Sequence, residues 1–293
     1  MAPVPLHIIE DILTTVLRLR KENSPESYIS IKNTFKLFRI PLPVITIPAG
    51  SIFYRMRIHR EDETEILFER VSDLGHRVER NRIKNFGRAN EPFQSIFYCS
   101  DVRQIAFCET SQLFRSSNKK NFEENSLSIW KTTRDINVVC LPKNKDYFGN
   151  NTVNSISENL NAFFKKFDDE DANNLQYFLH RISDEFSENS LDNAFNYLLT
   201  CAFANYVFET QMHTMNNDKK IDIDGLTYPS VHWKKKGMNL AIKPELIENK
   251  EIELISVTYS KMQLTSEVTY TEILKIVSKS VDYNSKPWKV IWK

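Results

Sequence analysis

The spacing of apolar positions changes several times along the chain, and each change marks an element. Leu6, Ile9, Leu13, Val16 and Leu17 recur at three- and four-residue intervals, which predicts an amphipathic helix from Leu6 to Leu19. Pro25, beyond a polar stretch, ends that pattern. In IPLPVITIPAGSIFYRMRI the prolines at 41, 43 and 48 exclude a long helix, and Ile52 to Ile58 reads as a strand. Ser95 to Ser100 and Asp135 to Leu141 are further strands, with a helix from Gln104 to Phe114 between them that turns Ile105, Cys108 and Leu113 inward. The asparagine-rich stretch from Pro142 to Asn154 reads as a loop or insertion. Three helical patterns follow: Ile156, Leu160, Phe163, Phe164 and Phe167; then Leu175, Phe178, Leu179 and Ile182; then Leu191, Ala194, Phe195, Leu198, Leu199, Ala202 and Tyr206. The acidic FDDEDANN between the first two is a solvated turn or a helix start. Short strands return around Gly225 to Tyr228, Leu240 to Ile242 and Ile252 to Val257. The tail KPWKVIWK reads as an edge strand that Trp288 and Trp292 anchor.

Strands, then helices, then strands imply an α+β chain with inserted helices. The predicted helices between Val153 and Val207 are expected to bury Leu160, Phe163, Phe164, Leu198, Leu199 and Phe203 against the body or another protomer. A chain of 293 residues can bury a large core without disulfides or a structural metal. Its 39 basic and 38 acidic residues leave a formal charge of +1, which gives no overall attraction to nucleic acid or anionic lipid.

Cys99, Cys108, Cys140 and Cys201 form no CxxC pair, and six histidines show no ligand spacing, so no metal is expected. The thiols are expected to be buried small hydrophobes in a reducing compartment. Glu10 and Asp11 interrupt the first apolar stretch, unlike a signal peptide. No apolar run approaches the roughly 20 residues of a membrane helix, so the expected location is cytoplasmic, away from membranes. Neither GxGxxG nor GxxxxGK[ST] occurs, which excludes the glycine-rich phosphate loops.

Three segments carry polar groups beside strand-like runs. In FYRMRI, alternation sends Arg55 and Arg57 to one face and Tyr54 and Met56 to the other. In NFGRANEPFQSIFYCSDVRQIAFCETS, Gly87 and Pro92 frame a loop with Arg88 and Asn90, a strand ends near Tyr98, and Glu109 sits in an apolar helical turn. A carboxylate there calls for an arginine partner or a ligand. In IDIDGLTYPSVHWKKKGMNLAIKP, Ser230 follows a strand without a G-x-S-x-G elbow, and His232 has no triad role. That serine suits orientation of a ligand or carboxylate better than nucleophilic attack. Lys234, Lys235 and Lys236 beside Trp233 read as a solvated loop.

Taken in this order, FYRMR, then GRAN…SIFYCS…IAFCE, then DGLTYPSV…GMNLAIKP, the chain resembles the RES domain family, named for its arginine, glutamate and serine. The resemblance covers about Ser51 to Val257 and maps the family arginine to Arg55, a loop arginine to Arg88, the strand tyrosine to Tyr98, the glutamate to Glu109 and the serine to Ser230. Met56 stands where the family usually has an aromatic after the arginine, and Tyr54 precedes it instead.

The resemblance implies an ADP-ribosyltransferase-like mixed β core with an N-terminal helical extension over 1–50, a catalytic domain over 51–260 that includes the helical block 153–207, and a C-terminal extension over 261–293. It also implies an NAD-consuming enzyme, with NAD as substrate. Family members are toxins that cleave the nicotinamide–ribose bond by phosphorolysis or hydrolysis, or transfer ADP-ribose to a protein. Implied partners are NAD, inorganic phosphate, a cognate antitoxin or immunity protein, and a second protomer. On that reading Glu109, Arg55 and Ser230 are catalytic, and Arg55, Arg88, Tyr98, Glu109 and Ser230 bind NAD. A reading from a different class is a non-catalytic binding or immunity component that works through its helical block.

Overall fold

The computed structural model describes residues 5–38, 40–59, 67–111, 122–142, 151–188, 197–210, 212–213, 220–230, 237–266 and 269–292. Leu113, Leu191, Ala194, Phe195 and residues 231–236, which carry some of the expectations above, lie outside them.

Helix α1 (Leu6–Lys21) buries Ile9, Ile12, Leu13 and Val16, the stripe its spacing predicts. Pro25 does not end the helical region. It opens a second helix, α2 (Pro25–Phe38). Proline lacks the N–H that a first helical turn leaves unbonded anyway, and Ser24 Oγ accepts the Ser27 N–H at 3.1 Å. Strands β1 (Val44–Ile47) and β2 (Ile52–Ile58) follow, then the single turn α3 (Val71–Leu74), β3 (Phe97–Ser100) and α4 (Arg103–Thr110).

Next come β4 (Phe122–Thr132) and β5 (Ile136–Cys140). Helix α5 (Asn151–Phe164) starts inside the stretch expected as a loop, since Val153 extends the spacing of Ile156, Leu160 and Phe164. The acidic segment is a helix start. Asp168 caps α6 (Asp169–Phe186) by accepting the Asp171 N–H at 2.8 Å, and three acids in the first turn complement the helix dipole. Helix α7 (Leu198–Glu209) is buried from Leu198 through Val207 on every side, packed among α1, α2, α6 and the sheet. Two short strands, β6 (Met212–His213) and β7 (Lys220–Ile221), pair with each other. The chain closes with β8 (Gly225–Pro229), β9 (Met238–Ile242), a turn α8 (Glu245–Glu248), β10 (Ile252–Ser266), β11 (Thr269–Asp282) and β12 (Lys289–Trp292).

The result is a mixed α+β fold. Ten strands form one open sheet in the order β1-β5-β8-β9-β3-β2-β4-β10-β11-β12, with β12 at the expected edge. Only β5 and β8 run parallel; the other neighbours are antiparallel. Leu198, Leu199 and Phe203 are fully buried in the main core, Leu160 and Phe164 nearly so, and Phe163 packs against it half-buried. The four cysteines are buried, as expected of small hydrophobes. Among the described residues no helix is long and apolar enough to cross a membrane.

The join between β2 and β3 is the weak point of the sheet. Only Tyr54 and Ser100 pair across it, whereas β2 pairs with β4 along seven positions. Beyond that single pair the two strands part, and α4, which leaves β3 directly, packs beside the opening. Ala106 of α4 joins Met56 and Leu127 in a small separate apolar cluster there.

Candidate functional site

A cavity of about 230 Å³ occupies the opening. Its walls come from β2 (Tyr54, Arg55, Met56), the loop with Gly87, Arg88 and Asn90, β3 (Tyr98, Cys99, Ser100) and α4 (Ala106, Glu109, Thr110), with Tyr197, Tyr228 and Asn239 completing it. Four of the five residues singled out in the sequence therefore line one cavity. The fifth, Ser230, is fully buried and lies behind Glu109, where its hydroxyl donates to Glu109 Oε1.

Arg55 spans the gap between the parted strands. Its Nη1 donates to the Tyr98 carbonyl at 2.7 Å and its Nε to the Leu74 carbonyl at 3.2 Å, while the guanidinium lies 5.5 Å from the Phe97 ring centre. Two backbone carbonyls thus fix the group, and three of its five N–H donors have no partner among the described residues. Burial lowers its pKa to about 10, with Arg57 and Arg77 adding repulsion. It remains a cation at neutral pH. Arg57, on the same strand face, donates to the Asp73 carbonyl and covers the Phe68 ring at 4.2 Å.

The arginine loop is locked by Tyr98. Its hydroxyl accepts the Ala89 N–H at 3.0 Å and donates to Asn90 Oδ1 at 2.8 Å. Burial pushes this phenol's pKa up, so it keeps its proton. The Gly87 N–H donates to the Asn90 carbonyl at 2.8 Å, and a side chain at position 87 would overlap Asn90 Oδ1. Arg88 reaches from this loop to the helical block. Its two terminal nitrogens donate to the Phe186 carbonyl at 2.6 Å and the Glu188 carbonyl at 2.9 Å, and its guanidinium lies 5.2 Å from the Tyr197 ring centre. These contacts occupy the open C-terminal carbonyls of α6, which favour a cation.

Ser230 is placed by strand pairing. Its N–H donates to the Gly237 carbonyl at 2.7 Å, bringing the end of β8 to the start of β9. Gly237 lies so close to α4 that any side chain there would overlap Ile105. The glycine therefore brings the serine and the α4 glutamate within hydrogen-bonding reach.

Sequence reasoning missed the cavity floor. Tyr54 pairs with Ser100, Ser100 with Asn239, and Asn239 with Tyr228, so four polar residues from β2, β3, β9 and β8 form one row across the sheet. Ser100 Oγ donates to Asn239 Oδ1 at 2.6 Å. Burial raises the Tyr228 pKa well above its usual value, and its ring tilts against Phe186 with centres 5.0 Å apart. Each residue sits in an ordinary strand, and only the register unites them. No group of three or more His, Cys, Asp or Glu side chains suited to a metal occurs among the described residues. No protein-family model matches the chain, and a search of curated proteins returns no significant match.

Proposed function

We propose that the chain is an NAD-consuming enzyme of the RES type, built on an ADP-ribosyltransferase-like core, that breaks the nicotinamide–ribose bond by phosphorolysis or hydrolysis. The observation that supports this most is the convergence of Arg55, Arg88, Tyr98 and Glu109 on one cavity, with Ser230 bonded to Glu109. A volume of about 230 Å³ falls below the roughly 300 to 1,000 Å³ of drug-sized sites, so it accepts the nicotinamide riboside end and leaves the remainder toward solvent.

Bond cleavage sends the glycosidic electron pair to the nicotinamide nitrogen and leaves positive charge on the ribose. The Glu109 carboxylate stabilises that charge, as carboxylates do in glycoside chemistry. The Ser230 hydroxyl holds one carboxylate oxygen, fixing the other toward the sugar. The ribosyl centre is captured by a phosphate oxygen or by water; in hydrolysis the departing proton passes to Glu109 and then to solvent. The free N–H donors of Arg55 hold the diphosphate without entering the reaction.

The test incubates purified protein with NAD, with and without phosphate, and separates nicotinamide from the sugar products. Nicotinamide release with ADP-ribose or its 1-phosphate supports the reading, and label retained on protein identifies transfer instead. Intact NAD under all these conditions refutes it and favours the binding component.

A further inference from the structure

The row across the cavity floor contains two groups that the proposed chemistry does not use. Asn239 is 5% exposed, and among the described residues its side chain's only hydrogen bond is the one its Oδ1 accepts from Ser100. Its Nδ2 therefore has no partner among the described residues, although Asn239 lines the cavity. The Ser100 hydroxyl bonds the carbonyl side of the amide and thereby fixes which edge carries the N–H groups. Tyr228, 3% exposed and paired directly with Asn239 across β8 and β9, likewise lines the cavity with no hydrogen bond to its hydroxyl among the described residues. The two residues are buried while their unbonded amide and phenol open onto the cavity floor, side by side, where a ligand with complementary polar atoms would bond both.

We propose that Asn239 and Tyr228 form the subsite for the carboxamide of a pyridine carboxamide ring, with Asn239 Nδ2–H donating to its oxygen and its N–H donating to the Tyr228 phenolic oxygen. Ser100 acts through Asn239 and is a positioning residue. The flanking Tyr54 supplies an aromatic wall at the other end of the row. The assignment rests on reading the cavity as an NAD site, and it adds the residues that select the leaving base over other glycosides. A base without a carbonyl would displace solvent from the Asn239 donor and leave it unsatisfied, and sites that hydrogen-bond their substrate discriminate strongly against such analogues.

The test titrates nicotinamide, and 3-acetylpyridine, which keeps the carbonyl and loses the N–H donor, into wild-type protein, Asn239→Leu and Tyr228→Phe by ligand-observed NMR. Circular dichroism checks each fold. The expected results are about tenfold weaker binding of both compounds to Asn239→Leu, and weaker binding of nicotinamide but not 3-acetylpyridine to Tyr228→Phe. If Asn239→Leu does not fold, Tyr228→Phe alone decides through this difference between the compounds. Absence of nicotinamide binding to wild type, or unchanged binding in the folded variants, overturns the subsite. Variant-sensitive nicotinamide binding without any NAD cleavage by wild type upholds the subsite and removes the proposed reaction.

Discussion

Ser230 and Glu109 stand 121 positions apart in the chain and meet through a hydrogen bond behind the cavity wall. The serine is fully buried while the glutamate is half-buried and lines the cavity, so the hydroxyl reaches the carboxylate from behind. This arrangement divides the roles. In the proposed reaction the glutamate supplies charge, and the serine supplies orientation.

Replacing Glu109 with Gln keeps size and removes charge. Turnover of NAD is expected to fall about 100- to 1,000-fold, the usual effect of losing one well-placed electrostatic group, with circular dichroism unchanged. Ser230→Ala retains the charge and frees the carboxylate to rotate, so a smaller loss, mainly in kcat, should follow. Equal and near-normal turnover in both folded variants would remove the role assigned to this pair.

Arg55 and Arg88 hold backbone carbonyls as well as lining the cavity, so each should resist replacement by lysine. An ammonium is a point charge and cannot span the two carbonyls that each guanidinium bridges. Arg55→Lys is expected to raise KM for NAD about tenfold or more with a smaller change in kcat, the signature of lost substrate binding. Arg88→Lys should in addition lower Tm, because it unties the loop from the end of α6. Wild-type kinetics in both variants would show that neither side chain holds phosphate.

The helical block tests differently. Phe203 is fully buried, with its ring centre 5.3 Å from that of Phe35 and 6.3 Å from that of Phe186. Phe203→Ala should cost about 3 to 5 kcal/mol of stability, read from denaturant unfolding, with activity per folded molecule retained. Lost activity at unchanged stability would instead make α7 part of the catalytic apparatus.

The elements most visible in the sequence were those with one apolar face: α1, β2, α4 and the helices of the block. Strand β4 escaped notice because Glu123, Asn125, Ser126 and Ser128 are polar residues buried within the sheet, so no apolar alternation announces it. Strand β11 escaped for the opposite reason, since most of its described side chains are exposed and neither face needs to be greasy. Helix α2 was hidden behind Pro25, which starts a helix as readily as it ends one. At the site, Arg55, Arg88, Tyr98, Glu109 and Ser230 were legible as unusual residues beside strands. Asn239, Tyr228 and Ser100 were not, because their common row depends on strand register, which no local pattern encodes.

A last prediction concerns pH and a histidine outside the cavity. His76 is 8% exposed; its Nε2 lies 3.2 Å from Glu248 Oε1, and its Nδ1 is buried without a hydrogen-bond partner among the described residues. Burial lowers its pKa below the usual 6.5, Arg55 and Arg80 act in the same direction, and Glu248 and Glu245 oppose without prevailing. The imidazole is therefore neutral in the fold over a range where the unfolded chain binds a proton. Between about pH 6.5 and the lowered native value the unfolded state holds more protons, so stability rises with pH and is lost on acidification through that window. His76→Gln keeps a polar group of similar size and does not titrate there. Urea midpoints at pH 8, 6.5 and 5.5 should fall less steeply for the variant than for wild type. Parallel slopes would show that His76 makes no such contribution and that acid sensitivity originates in the carboxylates.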